Sequence, residues 1–492
     1  MSRYVLGIDQ STQGTKALLF DEEGALICRT DLPHRQYINE KGWVEHDPEE
    51  IYANTLEVVK NLVEKAGINK NDLAVLGISN QRETAMVWNR TTGKPVYNAV
   101  VWQCARGAQI CEEIEKVGDA DMIRSHTGLQ LSPYFSAAKI AWVLKNVEGV
   151  QELADKGELC CGTIDSWLVY KLTGGKEFRT DYSNASRTQM FNISELKWDK
   201  QVCGLFGIPI SALPEVTDSD GEYGTTNFDG YLDHEIQIRG VLGDSHGALF
   251  GQGCVEKGMI KSTYGTGSSV MMNIGEKPVF SNRVVTSLAW KLGGEVNYVL
   301  EGNINYTGAV ITWLKDDLEL ISSPDETEQL AKESNPADKS YLVPAFTGLG
   351  APYWDSEATG ILTGMTRTTK RKEIVRAALD CIAYQITDVI KAMSAESGID
   401  ISELRVDGGP TKNKYLMQFQ SDIAHVTVQV PFSEELSGIG AAYAAGIAVG
   451  IYNKKEVLNK MTRTHFTPQM QPEERGQKYA GWKNAVEQVL NK

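Results

Sequence analysis

Short apolar runs that end in polar residues recur along this chain, and stretches with helical periodicity separate them. The first run, Tyr4 to Ile8, ends at Asp9, and a second run, Ala17 to Phe20, follows after small and polar residues. Asp21 to Gly24 is a turn signal ahead of a third run, Ala25 to Cys28. This spacing predicts an antiparallel meander of three strands.

A helix and a buried strand follow the meander. Asp47 is placed to cap the helix, Glu50 to close a capping box with it, and Gly67 to end it, with apolar residues at helical spacing between. The apolar run Leu73 to Ile78 comes next and leads directly into the polar segment Ser79 to Thr84. Strands alternating with helices predict an α/β fold in which polar strand ends face a crevice.

The middle of the chain repeats features of its beginning. A strand-like run, Gln237 to Leu242, leads to Asp244, and a second hairpin rich in glycine and threonine, Lys261 to Ser269, is followed by the apolar run Val270 to Ile274. This weak repetition predicts two similar halves with a boundary near residues 245 to 260. We therefore place an N-terminal domain at residues 1–250 and a C-terminal domain at residues 251–492.

A glycine pair marks the last motif. The strand Leu404 to Asp407 runs into Gly408 and Gly409, and an amphipathic helix follows Asn413. Amides exposed by two glycines can let a nucleotide approach the backbone, although a glycine pair is more often only a turn.

Composition and charge narrow the class of protein. The chain has 492 residues, 42% of them hydrophobic and 23% charged, as expected for a folded protein of several domains. A net charge of −15 argues against a nucleic-acid partner.

The beginning lacks the apolar region of a signal peptide, and the segment Gly438 to Ile451 is too short to span a membrane, so we expect a cytoplasmic protein without a membrane partner. Its eight cysteines lack metal or disulfide spacing, which predicts reduced thiols.

Several candidate residues have ordinary structural alternatives. Asp9 can hold a hydrated magnesium ion beside phosphate-binding amides, but a polar hairpin alone also explains it. Asp244 can cap the helix that follows it. Trp102 and Tyr134 can be core aromatic residues. Each signal is weak when it is taken alone.

The order of the motifs is more specific than any one of them. An acid-bearing first hairpin, a strand-end acid before a second hairpin and a late Val-Asp-Gly-Gly turn together resemble the actin, hexokinase and chaperone ATPase superfamily. Along nearly its whole length the chain more closely resembles the FGGY carbohydrate kinases, whose two signature regions stand here as Tyr134 to Val143 and Gly360 to Asp380. The longest matches are to the glycerol kinase branch of that family: Trp43 to Pro48, Asn80 to Thr84, Asn98 to Cys104, Asn184 to Arg187, Pro344 to Asp355 and Asp407 to Asp422.

The resemblance implies an α/β fold of two actin-like (ribonuclease H-like) domains with an interdomain cleft. The N-terminal domain would bind the polyol or sugar and carry the first phosphate hairpin, and the C-terminal domain would carry the second hairpin and bind adenosine. It implies ATP and Mg²⁺ as cofactors, a small-molecule partner, and a homodimer or homotetramer. The family's glycerol-contacting positions are occupied here by Arg82, Glu83, Trp102, Tyr134 and Asp244. Its nucleotide-contacting positions are occupied by Thr12, Gln13, Gly14, Lys16, Thr266, Gly308, Thr312, Gly409 and Asn413.

The implied roles suit phosphoryl transfer, which needs alignment, charge neutralisation and a base. Asp244 would be the catalytic base that accepts the proton of a primary hydroxyl. Arg82 and Glu83 would hold the neighbouring hydroxyls against an aromatic wall. Asp9 would position Mg²⁺ through water, and amides of both hairpins, with Lys16 and Thr266, would neutralise developing charge.

Two substrate positions depart from the glycerol kinase pattern. Ser245 stands where those enzymes carry glutamine, and Ser269 stands where they carry phenylalanine. Both changes predict a roomier and more polar pocket. Phosphorylation of glycerol is therefore one reading, and phosphorylation of a larger polyol or ketose, such as erythritol, xylulose or ribulose, is the alternative. A nucleotide-dependent switch like actin or the chaperones is a third reading, but it has no use for Arg82, Glu83 and Asp244.

Overall fold

Two mixed sheets organise the computed structural model, which describes residues 3–491. The first sheet has six strands, and its central strand Tyr4–Gln10 pairs antiparallel with Gly14–Phe20 and parallel with Leu73–Asn80. The predicted meander is thus confirmed, because Gly14–Phe20 also pairs antiparallel with Leu26–Pro33. In spatial order the strands are Thr225–Thr226, Ile236–Gly243, Leu73–Asn80, Tyr4–Gln10, Gly14–Phe20 and Leu26–Pro33.

The second sheet repeats this arrangement with seven strands. Its central strand Ile260–Tyr264 pairs antiparallel with Ser268–Gly275 and parallel with Glu403–Asp407. The internal repetition predicted from the two hairpins is therefore present in the topology. In spatial order the strands are Val285–Leu292, Glu295–Ile304, Ser268–Gly275, Ile260–Tyr264, Glu403–Asp407, Thr427–Pro431 and Arg463–Phe466.

Helices surround both sheets. Those of the first half are Pro48–Ala66, Ala108–Lys116, Ala120–Thr127, Ser136–Asn146, Val150–Asp155, Ile164–Leu172, Tyr182–Ala185, Lys200–Leu205 and Asp244–Gly251. Those of the second half are Gly308–Thr312, Glu326–Lys332, Arg371–Ser397, Lys414–Ala424, Leu436–Ala448, Lys454–Asn459 and Pro472–Leu490, with a π-helical turn at Trp313–Asp317. Short 3-10 turns lie at Lys70–Asp72, Ile210–Ala212 and Gly409–Lys412.

Smaller strand groups lie outside the two large sheets. Their members are Tyr37–Ile38 with Val44–His46 and Ala99–Val100, Met86–Asn89 with Leu159–Gly162, Arg179–Asp181 with Glu215–Thr217, Phe191–Asn192 with Lys197–Trp198, and Tyr341–Val343 with Ile361–Thr363.

The helix Pro48–Ala66 shows how local signals set an element. The Asp47 side chain accepts hydrogen bonds from two backbone amides of the first turn, and Gly67 ends the helix in the left-handed region at a φ of 65°. The predicted capping box is wrong, however. Glu50 accepts instead from the backbone N–H of Arg35, which fixes a neighbouring loop.

One helix from the second half packs against the first sheet, and we call Leu436–Ala448 the crossing helix. It follows the second-sheet strand Thr427–Pro431 but contacts first-sheet strands and the helix Asp244–Gly251. Glycines allow the close approach, since a Cβ on Gly77 or Gly240 would collide with the carbonyl of Ala441. The two halves are therefore locked together by packing, and the division at residue 250 stays a prediction.

Apolar residues fill a core on each sheet, as the buried runs predicted. A further apolar cluster contains residues of both sheets, such as Leu18 and Met271, and of the crossing helix. All eight cysteines are free thiols. Across residues 3–491, helices long and apolar enough to cross a membrane are absent.

Candidate active site

A cleft of 730 Å³, the central cleft, lies where the polar ends of strands from both sheets meet. The tips of both hairpins reach it, at Thr12 and Thr266. All seven residues predicted to bind the acceptor line it, although they are scattered over much of the chain. They are Arg82, Glu83, Trp102, Tyr134, Asp244, Ser245 and Ser269.

Asp244 stands at the carboxyl end of the strand Ile236–Gly243 and begins the next helix. Its side chain is 35% exposed, and its Oδ1 atom lies 3.3 Å from Nε of Arg82. The helix N-cap position is held by Gly243, so the alternative of a capping role for Asp244 is wrong. The carboxylate is thus available to a molecule in the cleft.

Arg82 and Glu83 are fixed by partners on other elements. Two guanidinium nitrogens of Arg82 donate to the two carboxylate oxygens of Glu301 at 3.0 and 2.8 Å. Nε of Arg187 donates to Glu83 at 2.6 Å. Glu83 has a φ of 62°, a strained conformation for a residue with a side chain, and its carbonyl accepts from Ser136 Oγ at 3.0 Å. A strained backbone of this kind is kept only where contacts with the surrounding structure fix it in place.

These four side chains form a buried ion cluster, Arg82, Glu83, Arg187 and Glu301. Arg187 also lies 2.9 Å from Glu301, so two cations alternate with two anions beneath the cleft. Burial favours the neutral form of Glu301, but Arg187 and Arg82 outweigh it and hold the pKa of that carboxyl well below its usual range. Because Glu301 belongs to the second sheet and Arg82 follows a first-sheet strand, the cluster joins the halves.

Arg187 and Glu301 were not among the predicted site residues. A signal for Glu301 was present in the sequence, since it is a charged residue inside the otherwise apolar run Tyr298 to Gly302. A charge at such a position is costly to bury without a partner. Identifying that partner required the tertiary structure.

The aromatic wall is tied to the first hairpin. Nε1 of Trp102 donates to Oγ1 of Thr12 at 3.0 Å. The Trp102 and Tyr134 rings pack edge to face with centroids 5.6 Å apart. Both residues are only half-buried, so the alternative that they are fully buried core residues is wrong. The wall therefore connects the predicted acceptor and phosphate regions.

Lys139 holds the loop that carries Tyr134. Its buried Nζ atom donates to the backbone carbonyls of Pro133, Tyr134 and Phe135 at 2.6, 2.5 and 3.2 Å. Burial lowers the pKa of Lys139 to about 7, while nearby Glu83 favours the charged form. This lysine therefore fixes one side of the cleft.

Replacing Lys139 with methionine is expected to leave three carbonyls without their donor. We expect a loss of about 1–3 kcal/mol in the free energy of unfolding and, because the Tyr134 loop loosens, a KM for the acceptor raised about tenfold. Denaturant titration and steady-state kinetics measure both. Lys145→Met is the matched control, since that exposed lysine lies on the same helix. Equal effects of the two substitutions would contradict the assignment.

The predicted nucleotide residues of the first hairpin fall into two groups. Thr12 and Gln13 line the central cleft, whereas Gly14 and Lys16 lie behind the tip on the strand Gly14–Phe20. A Cβ on Gly14 would collide with the Leu32 carbonyl, so strand packing by itself accounts for this glycine. Direct nucleotide contacts of Gly14 and Lys16 stay a prediction.

Asp9 is the penultimate residue of the central first-sheet strand, Tyr4–Gln10, and is buried. Burial raises the pKa of its carboxyl to about 6, although the ammonium of Lys16, 3.9 Å away, acts against this. Within the described part of the chain, groups of three or more metal-ligating side chains suited to an ion are absent.

A second cavity of 490 Å³, the side cavity, contains the remaining predicted nucleotide residues. They are Gly308, Thr312, Gly409 and Asn413, and the apolar part of the wall is formed by Ile311, Leu379, Ile382 and Leu416. The backbone N–H of Gly308 donates to the carbonyl of Gly265 in the second hairpin at 2.9 Å. The second hairpin therefore lies between the two cavities.

The glycine pair has two different functions in the structure. Gly408 has a φ of 99°, and a Cβ there would collide with the Tyr264 carbonyl, so this glycine permits close backbone packing. A Cβ on Gly409 would meet no atom within 4 Å, so that backbone faces the open side cavity. Asn413 accepts from the backbone N–H of Leu416 and caps the next helix, which gives it a structural role as well.

Two similar sheets around a cleft with a strand-end carboxylate form the fold that the resemblance to the sugar kinases predicts. The model of the FGGY family of carbohydrate kinases, N-terminal domain, matches residues 4–251, and that of the C-terminal domain matches residues 260–449. The chain therefore belongs to the FGGY family of carbohydrate kinases, which are enzymes that phosphorylate an alcohol group.

Curated relatives and solved structures agree with this assignment. The chain is 49% identical to a glycerol kinase of Thermoanaerobacter pseudethanolicus, with 100% of this chain and 99% of the relative aligned. It is 49% identical to glycerol kinase 1 of Thermotoga maritima, with 99% of each aligned. The crystal structure of Plasmodium falciparum glycerol kinase with ADP superposes with a TM-score of 0.93 at 36% identity, covering 99% of this chain and 98% of that one.

Proposed function

We propose that this protein transfers the γ-phosphoryl group of ATP to a terminal hydroxyl of glycerol. The observation that carries the proposal is the meeting of all seven predicted acceptor residues in one cleft with both hairpin tips. The glycerol kinases that align along the full chain support the choice of acceptor.

In the proposed reaction Asp244 accepts the proton of the attacking hydroxyl. Its partly exposed carboxylate faces the cleft, and Arg82 holds it from one side. Arg82 and Glu83 bind the other hydroxyls, and Trp102 and Tyr134 pack against the carbon chain. Catalysis then comes mainly from alignment and from charge neutralisation by hairpin amides.

The nucleotide would extend from the central cleft into the side cavity. Gly409 leaves room for adenosine, and Thr266 and the Gly308 region hold the phosphates between the cavities. Mg²⁺ keeps several waters and uses few carboxylates, which suits a water-mediated contact with Asp9. The proposal also includes a cytoplasmic homodimer or homotetramer divided near residue 250, without nucleic-acid or membrane partners.

A larger polyol or ketose is the second candidate acceptor. Ser245 and Ser269 line the central cleft together with Gln103 and Asn303, so small or amide side chains surround the space next to the acceptor residues. Oγ of Ser269 lies 3.2 Å from Glu301, which orients this hydroxyl over the ion cluster. Such a wall has room and hydrogen-bonding groups for a fourth or fifth carbon.

A coupled assay of ADP release separates the candidates. Glycerol, erythritol, xylulose and ribulose are tested at equal concentrations, together with ATP alone. We expect kcat/KM to be highest for glycerol, and a higher value for a four- or five-carbon acceptor would select the second candidate. ATP hydrolysis that no acceptor stimulates would instead support a nucleotide-dependent switch.

A further inference from the structure

Glu435 is a buried carboxylate to which no part of the proposed reaction assigns a role. It immediately precedes the crossing helix, and its side chain is 6% exposed. Nζ of Lys16 donates to it at 2.8 Å, and Arg29 also binds it. Its two partners come from first-sheet strands more than 400 residues earlier, with sequence separations of 419 and 406.

Lys16 is held between two carboxylates. It lies opposite Asp9 in the register of the first two strands, and its Nζ atom is 3.9 Å from Asp9 and 2.8 Å from Glu435. A lysine side chain is long and flexible, so an ammonium that must act at one place needs such partners. The Lys16 side chain remains 30% exposed, which leaves it accessible to an anion.

Glu435 belongs to a network of five charged side chains at the base of the first hairpin. Glu435 pairs with both Lys16 and Arg29. Asp9 also lies near Lys16, and Asp31 also pairs with Arg29. Three carboxylates therefore surround two cations, so these contacts fix the place of the Lys16 ammonium and leave the network without an excess of positive charge.

The position of Glu435 is rigidly defined by the crossing helix. Gly438, one turn into that helix, packs so closely on the first sheet that a Cβ would collide with Leu18 and come within 3.4 Å of the Asp9 Cβ. Glycine at this position therefore brings the start of the helix directly over the end of the first strand.

From this geometry we propose that Glu435 is a positioning residue that holds the Lys16 ammonium beside Asp9 for neutralisation of the transferred phosphoryl group. The inference rests on the proposed function and on the predicted contact of Lys16 with the phosphates of ATP. Glu435 itself touches neither substrate. It acts through Lys16, from the segment that connects the second sheet to the first.

A double-variant cycle tests this role. Glu435→Gln is expected to lower kcat about ten- to hundredfold, the range typical of lost supporting contacts, with the KM for the acceptor changed less than about twofold. Lys16→Met is expected to lower kcat at least as much. If Glu435 acts through Lys16, the double variant is no slower than Lys16→Met. A kcat of Glu435→Gln within twofold of wild type would overturn the proposal. So would a double variant whose loss in kcat equals the product of the losses in the two single variants.

Glu23→Gln is the matched control. Glu23 also pairs with a late residue, Lys460 at 3.7 Å, but its side chain is 84% exposed. It should keep wild-type kcat. Glu435→Asp retains the charge on a shorter side chain and should fall between wild type and Glu435→Gln; this variant decides the question if the amide variant does not fold. An aspartate variant no faster than the glutamine variant would oppose the proposal.

The turnover of the wild-type protein separates a failure of the proposed function from a failure of the positioning role of Glu435. If wild-type protein releases ADP with no acceptor of the panel, the proposed function fails. The positioning role is then judged by the affinity for ADP–Mg²⁺, measured by calorimetry, which needs no turnover. Glu435→Gln should weaken this affinity while Glu23→Gln does not, and equal affinities in all three proteins would overturn the role.

Discussion

Replacing Asp244 with asparagine is expected to lower kcat by about 10² to 10⁴, the range that a positioned general base contributes. Asparagine has the same shape but cannot accept the proton of the attacking hydroxyl at neutral pH. The KM for the acceptor should change little. The buried Arg82 keeps both oxygens of Glu301 as partners when the charge at position 244 is lost.

Steady-state kinetics with the preferred acceptor measure the effect, and thermal unfolding shows whether the variant is folded. Asp316→Asn removes the charge of an exposed aspartate, which pairs with Lys315 away from the cleft, and it should behave as wild type. Near-normal kcat in Asp244→Asn would mean that another group takes the proton. A large rise in KM with unchanged kcat would assign Asp244 to binding alone.

Replacing Glu301 with glutamine is expected to destabilise the protein by about 3–5 kcal/mol, the cost of breaking a buried ion pair. Arg82 and Arg187 would then share only Glu83 as a buried anion beneath the cleft. Since Glu301 is fully buried, solvent cannot screen the excess charge. This is the largest stability effect that we expect from one substitution.

The pH dependence of stability gives a second readout for Glu301. Its folded pKa lies below the unfolded value near 4.3, so its stabilising contribution is fully present above that pH and is lost as the pH falls toward the folded pKa. Glu301→Gln should therefore lose stability at neutral pH and approach wild type in acid. Denaturant titrations at several pH values measure this difference.

Ser269→Ala provides the comparison for Glu301. It removes one hydrogen bond to the same carboxylate but leaves every charge of the ion cluster in place. The expected cost is about 0.5–1.5 kcal/mol. Similar losses in the two variants would show that hydrogen bonding, rather than charge balance, dominates in the cluster.

Much of the fold followed from local patterns. The three-strand meander, the cap at Asp47, the helix end at Gly67 and the strand before Asp244 are each set by residues within one or two turns of chain. The capping box at Glu50 failed because a loop amide, that of Arg35, competed for its carboxylate. Local signals thus predicted where helices and strands lie, but they did not predict every hydrogen-bond partner of the capping side chains.

The candidate site was predicted in part. The order of motifs, through the family resemblance, indicated seven residues for acceptor binding, and all seven line the central cleft. The predicted nucleotide residues are divided between the two cavities, except that Gly14 and Lys16 lie behind the tip of the first hairpin. Their position follows from strand register, which a list of motif residues does not contain.

The sequence by itself determined the class of fold, the repeated hairpins and the residue types available for phosphoryl transfer, because periodicity, caps and strand ends depend on near neighbours. Only the tertiary structure decided that Glu301 balances Arg82 and Arg187, and that Glu435 reaches Lys16. Burial patterns show which face of an element is covered but not by what. Partners hundreds of residues apart are chosen by packing of the whole chain, here through glycines beneath the crossing helix.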